Sequence, residues 1–152
     1  MTKNQSIMEV IQKRYSCRTF KGEPLTGQAL LFLNQLGADN WSTPFRNVLR
    51  FQRIAGTKES MEAMKGIGTY GVIKAPAGFI VGAVQKGPFD LEAFGYAMES
   101  ILLSATRIGL GTCWLGGTFT KSVFAKKIEA TPDEIVPAVA ASSRRTPPRP
   151  GS

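Results

Sequence analysis

Two stretches of the chain combine residue types and spacing that could do chemistry. Arg14-Tyr15-Ser16-Cys17-Arg18 sets two guanidinium forks around one hydroxyl. Arg grips phosphate through two parallel N–H donors and Ser adds a third, so the segment has the makings of a phosphate site. Two arginines solvated at a helix end is the competing reading. The second stretch, Arg107 to Phe119, packs four glycines into nine residues, from Gly109 to Gly117. With no side chains in the way, the backbone of Leu115, Gly116 and Gly117 can lie against a flat ligand, with Trp114 and Phe119 shielding it. The alternative is a tight helix-to-strand connection that needs positive φ.

Other chemistries are excluded by what the chain lacks. It has no histidine, and its two cysteines, Cys17 and Cys113, are far from any Cys-x-x-Cys spacing. Zinc sites, Ser-His-Asp triads and Cys-His pairs in their usual forms are ruled out, and no metal is expected. Cys113 reads as a small buried hydrophobe. No side chain stands out as a catalytic acid or base; Glu99, in the middle of a helical pattern, reads as a buried carboxylate in a polar network.

The formal net charge is +8, and its distribution matters more than its size. Residues 1–53 carry eight basic and three acidic groups, residues 54–141 eight of each, and residues 142–152 three arginines and no acid. The excess therefore sits at the two ends, as it would if both met one phosphate. No nucleic-acid module or basic stripe with interleaved aromatics is present, so no nucleic-acid partner is expected. Apolar runs such as 78–84 are too short to span a bilayer and the first twenty residues are charged. These features predict a cytoplasmic protein that does not bind membranes.

Periodicity supplies the elements that must position these residues. Ser6 with Glu9 forms a capping box before a helix over about 7–14. Thr26 opens a second helix, with Leu30, Leu33 and Leu36 on one face and Gly37 as its stop. A strand is predicted over 48–53, a helix over 57–65, a glycine-rich loop over 66–71 and a fully buried strand over 79–84. Asp90 is expected to cap the longest helix, in which Leu91, Phe94, Met98, Ile101, Leu102 and Ala105 recur at helical spacing. A short helix over 122–128 and a strand over 135–140 follow, with Pro137 marking an edge or a bulge. The organisation expected is one domain, residues 1–141, followed by a disordered or extended basic tail, residues 142–152.

Arg14, Ser16 and Arg18 near the N-terminus, a long helix about ninety residues later, and the glycine run after it together resemble the nitroreductase superfamily of FMN-dependent enzymes. The likeness is to its short branch, with Gly-Thr-Tyr-Gly-Val-Ile-Lys at Gly68–Lys74 and Gly-Tyr-Ala-Met-Glu at Gly95–Glu99. It covers roughly residues 7–141. The resemblance implies an α+β fold, a central mostly antiparallel sheet flanked by helices, in an intertwined homodimer. It implies that Arg14, Ser16 and Arg18 hold the FMN phosphate, with Tyr15 beside them. Trp114, Leu115, Gly116 and Gly117 would pass across the flavin, a backbone N–H near Gly116 pointing to the reactive ring nitrogen. A donor there stabilises charge on the reduced ring. It further implies ping-pong electron transfer from NAD(P)H to a nitroaromatic, quinone or similar acceptor. The family's usual C-terminal arm is missing after the last strand, and Arg144 and Arg145 are what remains to reach the phosphate. A non-catalytic relative that binds flavin or another phosphate ligand is the alternative.

Overall fold

Ser6 opens the first helix, α1 (Ile7–Lys13), and its hydroxyl accepts from the Glu9 N–H at 3.2 Å, half of the predicted capping box. The computed structural model of the protein describes residues 5–18, 20, 25, 27–38, 41–55, 78–116 and 121–144. The predicted helix over 57–65, the glycine loop over 66–71 and the Gly68–Lys74 motif lie outside them. Helix α2 (Gly27–Asn34) leads into a 3-10 turn, Leu36–Ala38, and then strand β1 (Leu49–Ala55). Strand β2 (Gly78–Gln85), helix α3 (Asp90–Arg107) and strand β3 (Leu110–Leu115) follow. Helix α4 (Lys121–Lys127), the two-residue β4 (Glu134–Ile135) and β5 (Val139–Arg144) complete the order.

The sheet runs β1-β2-β5-β3 with β4 also on β2, and every pairing between these strands is antiparallel. Residues 78–84 of β2 are all buried because both faces are covered, which is why the segment is an unbroken apolar run. On one face Ile80, Val84, Leu49, Phe51, Leu110 and Ala140 meet Phe94, Met98, Ile101 and Leu102 of α3. On the other, Phe79, Val81, Cys113, Leu115 and Ala141 meet Phe124 and Ile128, with the Phe79 and Phe124 rings 5.3 Å apart. Gly82 is required by close approach: a Cβ there would lie 2.3 Å from the Phe51 ring.

Three expectations change. Asp90 is the first residue of α3 and not its cap; the cap is Phe89, at φ +60°. Asp90 still serves the helix start, since its carboxylate accepts from Leu91 N–H at 2.7 Å and Gly87 N–H at 3.2 Å beside the positive end of the helix. The glycine run is largely strand: Leu110–Leu115 pairs along its whole length with β5, and only Gly109, at φ +87°, makes the helix-to-strand turn. The last strand continues to Arg144, three residues into the predicted tail. Ser142 and Ser143 are fully buried there, and the Ser142 hydroxyl donates to Gly111 O at 3.3 Å, so a polar composition hides a laddered strand.

Pro137 lies in the gap between β4 and β5. Ile135 pairs with Val84 and Val139 with Val81, leaving residues 136–138 opposite 82–83, a bulge that spares the missing proline N–H. Across the bulge Glu134 anchors β4 to β1: Arg50 donates to both its carboxylate oxygens, at 2.8 and 3.0 Å, and to Ile128 O at 2.8 Å. Among the described residues no helix is long and apolar enough to cross a membrane, and no group of His, Cys, Asp or Glu could hold a metal ion.

Candidate functional site

The arginine segment and the glycine-rich strand, widely separated in sequence, are side by side. α1 ends at Lys13, and Arg14 turns into extended backbone while its N–H still bonds Val10 O at 3.0 Å. The chain then runs along the edge of β3 that β5 leaves open. Ser16 bridges Thr112 in parallel fashion, and Cys17 N–H donates to Thr112 O at 2.9 Å. Arg14, Tyr15, Ser16 and Arg18 are thereby held against the sheet's outer strand.

A shallow hollow, without room for a water molecule in this structure, lies at the junction, lined by Lys13, Arg14, Tyr15, Thr106, Leu110, Gly111 and Thr112. Thr106 is satisfied, donating to Leu102 O at 2.8 Å. Thr112 is 1% exposed, and its hydroxyl has no hydrogen-bond partner among the described residues. Leaving a buried hydroxyl unpaired costs about 1–3 kcal/mol. Arg14 at the edge of the hollow, with Ser16 and Arg18 next along the chain, supplies the kind of donors that suit a phosphate-bearing ligand. Thr112 was not singled out from the sequence, although it is the one polar side chain in Leu-Gly-Thr-Cys-Trp-Leu.

Glu99, in the middle of α3, joins the two halves. Its Oε1 lies 3.5 Å from Arg14 Nε, and its Oε2 accepts from the Trp114 indole N–H at 2.8 Å. The polar network expected around Glu99 is one between the arginine segment and β3, but the side chain is 41% exposed and not buried, because it sits on the rim where Arg14 meets β3. Trp114 is half-buried and meets Phe94 edge to face at 6.4 Å, so the indole is a packing residue with its N–H held by Glu99. Leu115 is buried on the opposite face, in the cluster with Phe124, and presents only backbone on the Trp114 side.

Gly116, directly after β3, is exposed, and nothing lies within 4 Å of where a side chain would begin. At about 3.3 Å per residue, it stands about 13 Å along the strand from Thr112. Tyr15 and Arg18 are exposed, and Arg18 curls back to donate to Ser16 O at 3.5 Å. Arg144, exposed at the end of β5, pairs with Leu110 and so comes to the strand end that lines the hollow. Gly117 and Arg145 lie outside the described residues. Burial pushes the Cys113 thiol pKa up, against the opposing pull of the Arg18 and Arg14 charges.

Comparison with known proteins bears on this arrangement. A family model described as "Putative TM nitroreductase" matches residues 6–143. A search of curated proteins gives no match. Among solved structures, a nitroreductase family protein from Clostridium novyi NT is similar at 20% identity and TM-score 0.73, over 93% of this chain and 86% of that one. A nitroreductase with bound FMN from Desulfitobacterium hafniense DCB-2 is similar at 20% identity and TM-score 0.72, over 99% and 94%. A "Putative NADH dehydrogenase/NAD(P)H nitroreductase" from Bacteroides thetaiotaomicron VPI-5482 is similar at 15% identity and TM-score 0.75, over 97% and 90%. At these identities the structural likeness establishes the fold: α+β, with an antiparallel sheet flanked by helices.

Proposed function

Since the chain belongs to the TM nitroreductase family, we propose that it is an FMN-dependent oxidoreductase that passes electrons from NAD(P)H to a nitroaromatic, quinone or similar acceptor by a ping-pong mechanism. The observation that carries this reading is the Ser16–Thr112 bridge, which sets an arginine-rich phosphate grip beside a strand that ends in open glycine backbone. FMN, when bound, supplies two-electron chemistry. Arg14, Ser16 and Arg18 would hold the phosphate, with Tyr15 flanking them and Arg144 and Arg145 adding charge from further along the chain. Trp114, Leu115, Gly116 and Gly117 form the ring side, where the Gly116 N–H offers a donor in a position no side chain obstructs. Glu99 keeps Arg14 and Trp114 in fixed relation. The working unit is a homodimer, a reading supported by Ile7, Met8 and Ile11 on α1, which are 50%, 60% and 48% exposed in the single chain.

Anaerobic addition of NADH or NADPH to the FMN-loaded protein tests the reading. Loss of the oxidised flavin bands, with recovery when a quinone or nitroaromatic is admitted, is the expected result. Bound flavin that neither nucleotide bleaches would leave a binding protein without the redox activity.

A further inference from the structure

The register that joins the two motifs also places the only two cysteines of the chain next to each other. Ser16 and Thr112 form an isolated parallel bridge, to which the Cys17 N–H to Thr112 O bond of 2.9 Å belongs, and the next residue on each side of it is Cys17 and Cys113. Neighbouring strands lie about 4.7–4.9 Å apart. Disulfides need a Cα separation of about 4.4–6.8 Å, a range that neighbouring residues on adjacent strands meet; in this structure both cysteines are reduced thiols. Both side chains point to the same side of the sheet: each is 2% exposed and each belongs to the cluster built on Phe79, Leu115 and Phe124. No histidine or carboxylate joins them, so among the described residues they form no metal site.

We propose that Cys17 and Cys113 are a reversible dithiol–disulfide site that, when oxidised, staples the arginine segment to β3. The oxidant class is a low-molecular-weight disulfide such as oxidised glutathione. The Cys17 thiolate attacks one glutathione sulfur, forming a mixed disulfide and releasing one glutathione. The Cys113 thiolate then attacks the Cys17 sulfur and releases the second. The protein loses two electrons and two protons, and one oxidised glutathione becomes two reduced molecules. The two thiols are equally buried, and Cys17 reacts first because its segment is tied to the sheet edge by an isolated bridge and can open more readily than the β3 ladder that holds Cys113. Burial disfavours the Cys113 thiolate in the second step, and the Arg18 and Arg14 charges offset only part of that. Oxidation would fix Ser16 and Arg18 on β3 whether or not the hollow holds flavin, so the bond can be tested apart from the functional reading.

The experiment equilibrates the native protein across glutathione buffers, with a glutaredoxin added so that slow access to buried sulfur does not decide the end point. Samples are acid-quenched, alkylated under denaturing conditions and analysed by mass spectrometry. The expected result is a single transition in which both alkylatable thiols are lost together, the mass falls by two hydrogens and one linked peptide joins the 15–18 segment to β3. The variants Cys17→Ala and Cys113→Ala should show no such loss. Two thiols that stay alkylatable at the most oxidising ratio, or that each carry glutathione without a crosslink, would overturn the proposal.

Discussion

Arg14 has three attachments: its backbone ends α1, its Nε faces Glu99, and its side chain lines the hollow beside Thr112. A hydrogen bond to a charged group contributes about 1.5–3 kcal/mol, and about 1.4 kcal/mol is a factor of ten in affinity. Arg14→Ala should therefore weaken FMN binding about ten- to a hundredfold. Riboflavin, which lacks the phosphate, should bind the variant and the parent equally. An equal loss for both ligands, measured by flavin fluorescence titration, would mean that Arg14 supports the ring side or the fold instead of the phosphate. Arg14, Ser16 and Arg18 were singled out because their position before the long helix and the glycine run matched a family pattern, Arg-x-Ser-x-Arg by itself being common. Thr112 was not, because a threonine in a strand is ordinary until its hydroxyl is found buried and without a partner.

At the scale of elements, Gly82 shows how closely β1 and β2 are fitted. The Phe51 ring that occupies the space over Gly82 is itself confined by Trp41 and Phe94, each with ring centroids 5.5 Å away. Gly82→Ala should cost about 1–3 kcal/mol through overpacking, seen as a lower denaturant midpoint with an unchanged slope. An unaltered midpoint would show that Phe51 can move aside. Local signals placed most of the elements: the Ser6 cap, the apolar run of β2, the helical stripe of α3 and the proline bulge at Pro137. They failed at β3, where glycine density suggested a loop, and at Ser142–Arg144, where polar side chains concealed a strand. Both errors have one cause. Backbone pairing with a distant partner decides those segments, and no local residue pattern reports it. The Ser16–Thr112 bridge, on which the proposed site rests, is of the same kind.

Two properties belong to the whole molecule. Glu134 is held below the usual carboxylate range, first by its hydrogen bonds from Arg50, with burial opposing. A carboxylate with a lowered pKa in the folded state stabilises the fold above its unfolded value, near 4.3 for glutamate, and that stabilisation disappears as the pH falls through the folded value. Arg50→Ala should lower the thermal midpoint at neutral pH, and the gap from the parent should close on acidification. A gap independent of pH would assign the loss to packing. The second is the proposed homodimer. Met8→Glu together with Ile11→Glu, both on the exposed face of α1, should shift sedimenting species from dimer to monomer with the circular dichroism spectrum retained. A parent protein that sediments as a monomer at all concentrations would remove the dimer from the account.

The central claim is that the arginine segment and β3 together form an FMN site. Its most direct test is to incubate the purified protein with excess FMN, remove free ligand by gel filtration and record the visible spectrum of the protein peak. The account predicts flavin absorbance that travels with the protein and is lost in the Arg14→Ala, Arg18→Ala double variant. A folded parent protein that emerges colourless would contradict it.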